Sequence, residues 1–381
     1  QMLNISRKSD CCGCNACVQR CPKRCITMHE DEEGFLYPQV DFSICINCGL
    51  CEKVCPVLNQ HDPKLPLEVL AAKNKNDDQR LLSSSGGIFI LLAEQTINHG
   101  GVVFGARFDS KWEVEHCYAE TYEELEPLMR SKYVQSRIGN TYKEAEQFLK
   151  QGRLVMFVGV PCQIAGLKHY LCKEYENLLT VDVVCHGVPS PKVWREYIKT
   201  VGVDKISSVN FRAKQTEGFG WKEYGFVIKD KQGRKLVSQS AINNLYLLGF
   251  SKNLFLRPSC HVCPAKSCKS HSDLTIGDFW GIWNKHSELD DNKGVSMVLI
   301  NSECGKRMFD SLCLNATVYS YQDVVFENQM LCKSTPEPPL RVEFWKRFNI
   351  EGIICVIAIA KSMRPTLRMR VVGKLKRLFK I

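Results

Sequence analysis

Apolar and polar positions change their period near residue 67. Before it, apolar runs are short and broken by cysteines and turns. Residues 26–28 and 35–38 flank an acidic turn and read as two short strands. Residues 59–66 are polar, contain Pro63 and Pro66, and read as a linker. Beyond it, apolar strands alternate with helices. Ser83-Ser84-Ser85-Gly86-Gly87 opens an apolar helix over 88–98, which Gly100-Gly101 ends. The pattern predicts strands over 102–106, 114–119, 154–158, 178–184, 207–212, 274–278 and 295–300. It predicts helices over 122–129 and 141–151, another from Pro161, one from Ser190-Pro191 to about 201, and one ending near 314. A hairpin is expected at 230–233. The expected fold is α+β / α/β, with a small N-terminal module over 1–62, a mixed-sheet α/β domain over 67–335 and a tail over 336–381.

Composition narrows the class. The chain has 381 residues and is 44% hydrophobic, so it can bury real cores in two or three domains. Its longest apolar run, 353–360, is far below the roughly 18 residues that span a bilayer. The short polar start has no apolar stretch of the signal-peptide kind. Net charge is +10, but residues 361–381 carry eight cations and no acid. The remainder is near neutral, which argues against nucleic-acid binding. In the tail, Leu367, Val371, Leu375 and Leu378 recur at helical spacing among the cations. Such a basic amphipathic helix can lie on an anionic membrane face or dock on a partner protein.

The 21 cysteines carry the chemistry. Cys11, Cys14, Cys17 and Cys21-Pro22 form C-x2-C-x2-C-x3-C-P, and Cys45, Cys48, Cys51 and Cys55-Pro56 repeat it. This is the signature of a bacterial two-cluster 4Fe–4S ferredoxin, in which the fourth cysteine crosses to the other cube. Cys11, Cys14, Cys17 and Cys55 should therefore hold one cluster, and Cys45, Cys48, Cys51 and Cys21 the other. Structural zinc prefers two separated C-x2-C pairs and fits this spacing poorly. Thiols kept reduced imply a cytoplasmic setting. Cys12 and Cys25 are spare. Cys260-x2-Cys263-x4-Cys268, with Cys185 at a strand end, would complete a third cluster, a zinc site, or a set of unligated thiols.

Three further signals are weaker. The turn at Ser85, Gly86 and Gly87 opens a helix and suits either a phosphate or simple N-capping. Cys162, behind Pro161 at a helix start, is either an active-site thiol or an ordinary buried cysteine. Lys132 is either a ligand for an anion or a solvated lysine.

Several stretches together resemble one family. Ser85-Gly86-Gly87, Ser131-Lys132-Tyr133-Val134, Val158-Gly159-Val160-Pro161-Cys162-Gln163, the run from Asp182 to Pro191 (DVVCHGVPSP), Asn210-Phe211-Arg212 and Ile276-Gly277-Asp278-Phe279-Trp280-Gly281 resemble the beta subunits of coenzyme F420 hydrogenases and dehydrogenases. The resemblance runs from about 70 to 285. It implies FAD in the α/β domain, held through Ser85, Gly86, Gly87, Lys132, Tyr133, Asn210 and Arg212, with Lys132 and Cys162 near the reacting ring. It also implies a cluster beside the flavin, a redox partner such as ferredoxin or a companion subunit, and a small-molecule substrate. That substrate is a deazaflavin coenzyme or another small or lipid-linked, polysaccharide-related molecule, since some bacterial members are associated with surface polysaccharide synthesis. The competing reading is a non-catalytic electron-transfer subunit. The tail would add peripheral contact with the inner membrane face.

Overall fold

The computed structural model describes residues 5–363. The amphipathic segment lies almost wholly in 364–381, outside the described residues. Among the described residues, no helix is long and apolar enough to cross a membrane.

The N-terminal module pairs β1 (Ile26–Glu30) with β2 (Leu36–Val40), antiparallel, between two short cysteine-bearing helices, Ala16–Arg20 and Leu50–Lys53. The body is an eight-stranded mixed sheet. Its first five strands are β3 (Glu68–Asn74), β4 (Val102–Phe108), β5 (Val114–Ala119), β6 (Val155–Gly159) and β7 (Leu178–Val183). A smaller antiparallel sheet follows in the chain, made of β8 (Ile206–Ala213), β9 (Gly225–Asp230) and β10 (Lys235–Ser240). The main sheet is completed by β11 (Leu274–Asp278), β12 (Ser296–Ile300) and β13 (Leu314–Tyr319). The main order is β13-β3-β12-β11-β7-β6-β4-β5. β4, β6, β7 and β11 run parallel, and β3 shares their direction because it is antiparallel to β12, itself antiparallel to β11. β6 and β12 are buried along their whole length, as continuous apolar runs in a covered sheet must be. Loops at the carboxyl ends of parallel strands are where α/β sheets place their sites. Here those ends deliver Gly159, Cys185 and Asp278 to one rim.

Two predicted helices are corrected. Residues 122–129 form only a 3-10 turn at Glu126–Leu128, because Pro127 lacks the N–H that a continuing helix needs. The helix after β12 stops at Asp310, and Leu314–Tyr319 is an edge strand on β3. Residues 336–363, within the segment read as a tail, carry two helices. Helices Arg341–Glu351 and Cys355–Ser362 bury Phe344, Trp345, Phe348, Val356 and Ile359 in the core around Trp194 and Tyr246.

The cysteine module shares a core with the sheet. Cys12, Cys14, Ala16 and Val54 pack with Phe104, Phe157, Ile164 and Leu167. A Cβ on Gly166, in helix Pro161–Leu171, would stand 2.7 Å from Cys14 Cβ, so only glycine lets the loop approach this closely. Asn15 Nδ2 donates to Gly139 O at 2.6 Å, and Arg341 Nη1 donates to Glu33 Oε1 at 2.7 Å.

Candidate iron–sulfur and flavin sites

The two cysteine loops repeat one backbone device. Gly13 and Asn15 in the first, and Asn47 and Gly49 in the second, hold positive φ at matching positions. These left-handed steps curl the chain around its thiols, which is why Gly and Asn occupy them. Cys21, Cys45, Cys48 and Cys51 wall one pocket, with Cys25 as a fifth thiol. The first Cys-Pro thiol thus reaches the second triplet. Cys25 Sγ lies 3.4 Å from Cys21 Sγ. On the other side, burial pushes Cys17 up, and the neighbouring Cys11 and Cys55 add to it. Burial pushes Cys55 up to about 11. Thiols crowded in this way are poor isolated anions; metal ions reverse that preference by deprotonating the sulfur they bind. Among the described residues no three His, Cys, Asp or Glu side chains converge on a single-ion position. A cube spreads its thiolates over four irons and does not require such convergence.

A further thiol group lies where the module meets the sheet rim. Cys185 follows β7, Cys260 and Cys263 lie in and just after the 3-10 turn Pro258–Val262, and Cys162 opens helix Pro161–Leu171. Cys12 beside it, burial, Cys263 and Cys185 all push the Cys162 thiol up. Burial, with Cys263 nearby, pushes Cys185 up to about 11, and burial with Cys185 and Cys263 pushes Cys260 to about 12. Cys268 is not among them. Its charged neighbours are Asp182, Cys332 and Lys64, and burial pushes it up to about 12. Ser267 and Cys268 both adopt left-handed φ, of 57° and 56°. Cys162 joins Cys185, Cys260 and Cys263 as a candidate for the third site beside Cys268, and the thiol expected near a flavin ring stands among other thiols.

The residues expected around FAD gather at the same rim. Gly87, with φ of 82°, is the N-cap of helix Ile88–Asn98, and no side chain caps that helix. Gly86 serves packing. A Cβ there would meet Ala72 O at 2.5 Å and Ser296 N at 2.6 Å. Ser85 Oγ donates to Val295 O at 2.9 Å. Ser131 N donates to Ser84 Oγ at 2.9 Å, which ties the turn to Lys132 and Tyr133. Lys132 is half-buried; its Nζ donates to Met129 O at 2.7 Å and Arg130 O at 3.2 Å. Burial, with Arg130 beside it, pulls its ammonium down to about 7. Arg212 is 3% exposed and pairs with Asp278 at 3.0 Å, 3.8 Å from the Tyr224 ring centre and 5.2 Å from that of Trp280. Nη2 is the atom that meets Asp278, and Nε makes no hydrogen bond. Asn210 Oδ1 accepts from Arg212 N at 2.9 Å, so Asn210 shapes the strand that presents Arg212. An uncapped helix start, a buried guanidinium with an unbonded Nε and a lysine titrating near neutrality fit a dinucleotide carrying phosphates.

Sequence reasoning missed two buried cations here. Lys214 Nζ donates to Arg80 O, Ser85 O and Lys293 O at 2.7, 3.1 and 2.6 Å, fastening β8 to the Ser/Gly turn. Arg257 lies between the cysteine loops and the third thiol group. Nothing local marks either residue, since lysine and arginine are ordinarily exposed.

Residues 131–136 connect the two sites. Gln135 Nε2 donates to Cys12 O at 3.1 Å. Ser136 Oγ bridges His116 Nδ1 and Gln163 Nε2, both at 2.9 Å. His116 Nε2 donates to Val158 O at 3.0 Å, so Nδ1 accepts and the ring is neutral. Burial pulls its pKa from 6.5 down to about 4. A folded value below the unfolded one gives stability that is complete above pH 6.5 and lost as pH falls toward 4. At pH 5.5 the loss should be about 1.4 kcal/mol. Urea midpoints at pH 7.5 and 5.5 should differ by that much more in the wild type than in His116→Gln; equal differences would remove His116 from the account.

Tandem cysteine loops set against the rim of a mixed α/β sheet define an iron–sulfur electron-transfer protein. Residues 10–59 match the 4Fe-4S dicluster domain, and residues 152–324 match the C-terminal domain of the coenzyme F420 hydrogenase/dehydrogenase beta subunits. The chain thus carries a 4Fe–4S dicluster domain followed by a segment that matches the C-terminal domain of those beta subunits. It is 24% identical over 330 residues to the F subunit of the F(420)H(2) dehydrogenase of Methanosarcina mazei, covering 81% of this chain and 84% of that one. It is 25% identical over 195 residues to the coenzyme F420-dependent sulfite reductase of Methanocaldococcus jannaschii, covering 49% of this chain and 29% of that protein. A chain of the F420-reducing [NiFe] hydrogenase complex from Methanosarcina barkeri aligns with TM-score 0.47 and 15% identity, over 71% of this chain and 90% of that one.

Proposed function

We propose that this chain is an iron–sulfur flavoprotein oxidoreductase acting on a two-electron carrier of the deazaflavin class. The single observation behind this reading is continuity. Cys11 and Cys12 are adjacent, Cys12 neighbours Cys162, and Gln135 of the 131–136 segment bonds Cys12 while Ser131 bonds the Ser/Gly turn. The two relatives named above, whose names carry F420, support the substrate class.

In this reading Cys11, Cys14, Cys17 and Cys55 hold one cube and Cys21, Cys45, Cys48 and Cys51 a second. Cys162, Cys185, Cys260 and Cys263 hold a third. Bound FAD supplies the exchange between single electrons and a hydride. The chain's own part is positioning. The start of helix Ile88–Asn98 and Lys132 bind phosphate, Arg212 and Tyr133 orient the ring system, and Trp280 shields it from water. Lys132, near its titration point at neutral pH, would hold its proton more firmly once an anionic phosphate is beside it. The test is anaerobic turnover. The reconstituted chain should hold yellow, non-covalent FAD and, once reduced, should bleach an added deazaflavin. Flavin binding without turnover would favour the non-catalytic electron-transfer subunit; failure to bind flavin would end the flavoprotein reading.

The partner side of the proposal is the second cysteine pocket. Cys48 is exposed at its mouth. Phe42, Ile44 and Ile46 stand exposed on the same loop, with Lys23 and Arg24 beside them. An electron carrier or partner subunit would dock there. Ile44→Asp with Ile46→Asp should slow reduction by a ferredoxin at least about tenfold and leave reduction by a small viologen unchanged. Equal rates with ferredoxin would move the docking face elsewhere.

A further inference from the structure

Arg257 is fully buried and stands between two thiol groups. Its Nε donates to Cys11 O at 2.8 Å, Nη1 to Gln135 Oε1 at 3.0 Å and Nη2 to Leu36 O at 2.9 Å. Nη2 also lies 3.6 Å from Cys11 Sγ. The guanidinium sits 4.3 Å from the Tyr37 ring centre and 5.4 Å from that of Phe35. Gly13 makes room for it, since a Cβ there would stand 2.8 Å from Nη1. The fork is thus fixed by carbonyls and an amide, all of them neutral. Among the described residues no carboxylate pairs with it; the ionisable groups near it include Cys11, with Sγ at 3.6 Å, and Cys260, whose N donates to Arg257 O at 2.9 Å. A buried charge without a counter-ion costs several kcal/mol, so something at this place must balance it.

We propose that Arg257 is a shared counter-ion for two neighbouring clusters, the cube at Cys11 and the cube at Cys260, and that it raises the reduction potential of both. The proposal rests on the ligand sets of the preceding section. Cluster potentials follow net charge, hydrogen bonds to sulfur and exposure to water, and Arg257 contributes to the first two. Reduction adds one electron, supplied by the one-electron carrier docked at the second pocket, and no bond forms or breaks. A fixed guanidinium stabilises the added charge at either cube. Arginine suits the place because its planar fork can satisfy three acceptors and still face a sulfur, and it keeps its charge when buried. The second ferredoxin pocket, walled by Cys21, Cys45, Cys48 and Cys51, is not lined by Arg257 and serves as an internal control.

The experiment is a mediated redox titration of the anaerobic full chain, read by electron paramagnetic resonance, with iron measured in every sample. Arg257→Gln should lower the reduction equilibrium of two clusters by at least about tenfold, which is 59 mV for one electron. The cluster of the second ferredoxin pocket should move much less. Arg257→Lys, which keeps the charge, should restore both to within about threefold of the wild type. Unchanged potentials in Arg257→Gln, or equal shifts of all three clusters, would overturn the proposal. Should Arg257→Gln fail to load iron, Arg257→Lys still decides: potentials near the wild type support the charge role, and a tenfold fall overturns it. A wild type with only two clusters would instead overturn the third-site reading, and the shared role with it.

Discussion

Cys162→Ser will lower the iron of the anaerobically purified chain from about twelve atoms to about eight, whereas Cys268→Ser will leave it at about twelve. The spacing of the second cysteine group makes the opposite forecast. The prediction follows from their neighbours: Cys162 has Cys185 and Cys263 near it, while Cys268 has Asp182 and Cys332. Cys260→Ser and Cys263→Ser should each behave as Cys162→Ser does. Cys12 neighbours Cys162 and could stand in for it. The paired variant Cys12→Ser with Cys162→Ser closes that route and should also leave about eight. Iron analysis with spectra of the reduced protein checks all of these. A Cys162 variant that keeps its iron beside a Cys268 variant that loses it would restore the set drawn from spacing.

Gly86→Ala will cost the folded protein about 3 kcal/mol and abolish FAD binding with it. The added methyl meets Ala72 O at 2.5 Å, Ser296 N at 2.6 Å and Ser296 Oγ at 2.9 Å. Two of these are backbone atoms of neighbouring strands and cannot swing aside. The same turn gives up the bond from Gly86 N to Ser296 Oγ if it moves, so relief by displacement also carries a cost. The helix that follows takes its start from this turn, and the proposed phosphate site moves with it. Gly87→Ala is the comparison. Its φ of 82° costs a side chain about 1 kcal/mol, and its Cβ would stand 3.1 Å from Asn74 Cβ, a milder contact. Urea unfolding and flavin absorbance measured together separate two explanations. If Gly86→Ala unfolds as the wild type does but binds no flavin, the glycine is there to admit a phosphate and the packing argument is wrong.

Features that depend on near neighbours were legible in the residues alone. Helix Ile88–Asn98 and strands Val114–Ala119 and Leu274–Asp278 occur where apolar period and bounding glycines place them. The tandem cysteine spacing specified two cube-sized loops, because thiols three and four residues apart on one turn have little freedom. β3 was not read as a strand because Ala71, Ala72, Lys73 and Asn74 lack β-branched character; its place between β12 and β13 comes from pairing with both. Residues 122–129 read as helix until Pro127 is weighed against the apolar period. Facing was beyond local reading. A rim shared by several strand ends brings Cys162, Cys185 and Cys263 together from distant parts of the chain. Arg257, Lys214 and Gly166 were illegible for the same reason. What makes each of them necessary, whether a thiol, a carbonyl or a Cβ 2.7 Å away, is supplied by a segment remote in the chain, and only the packing of module on sheet sets them face to face.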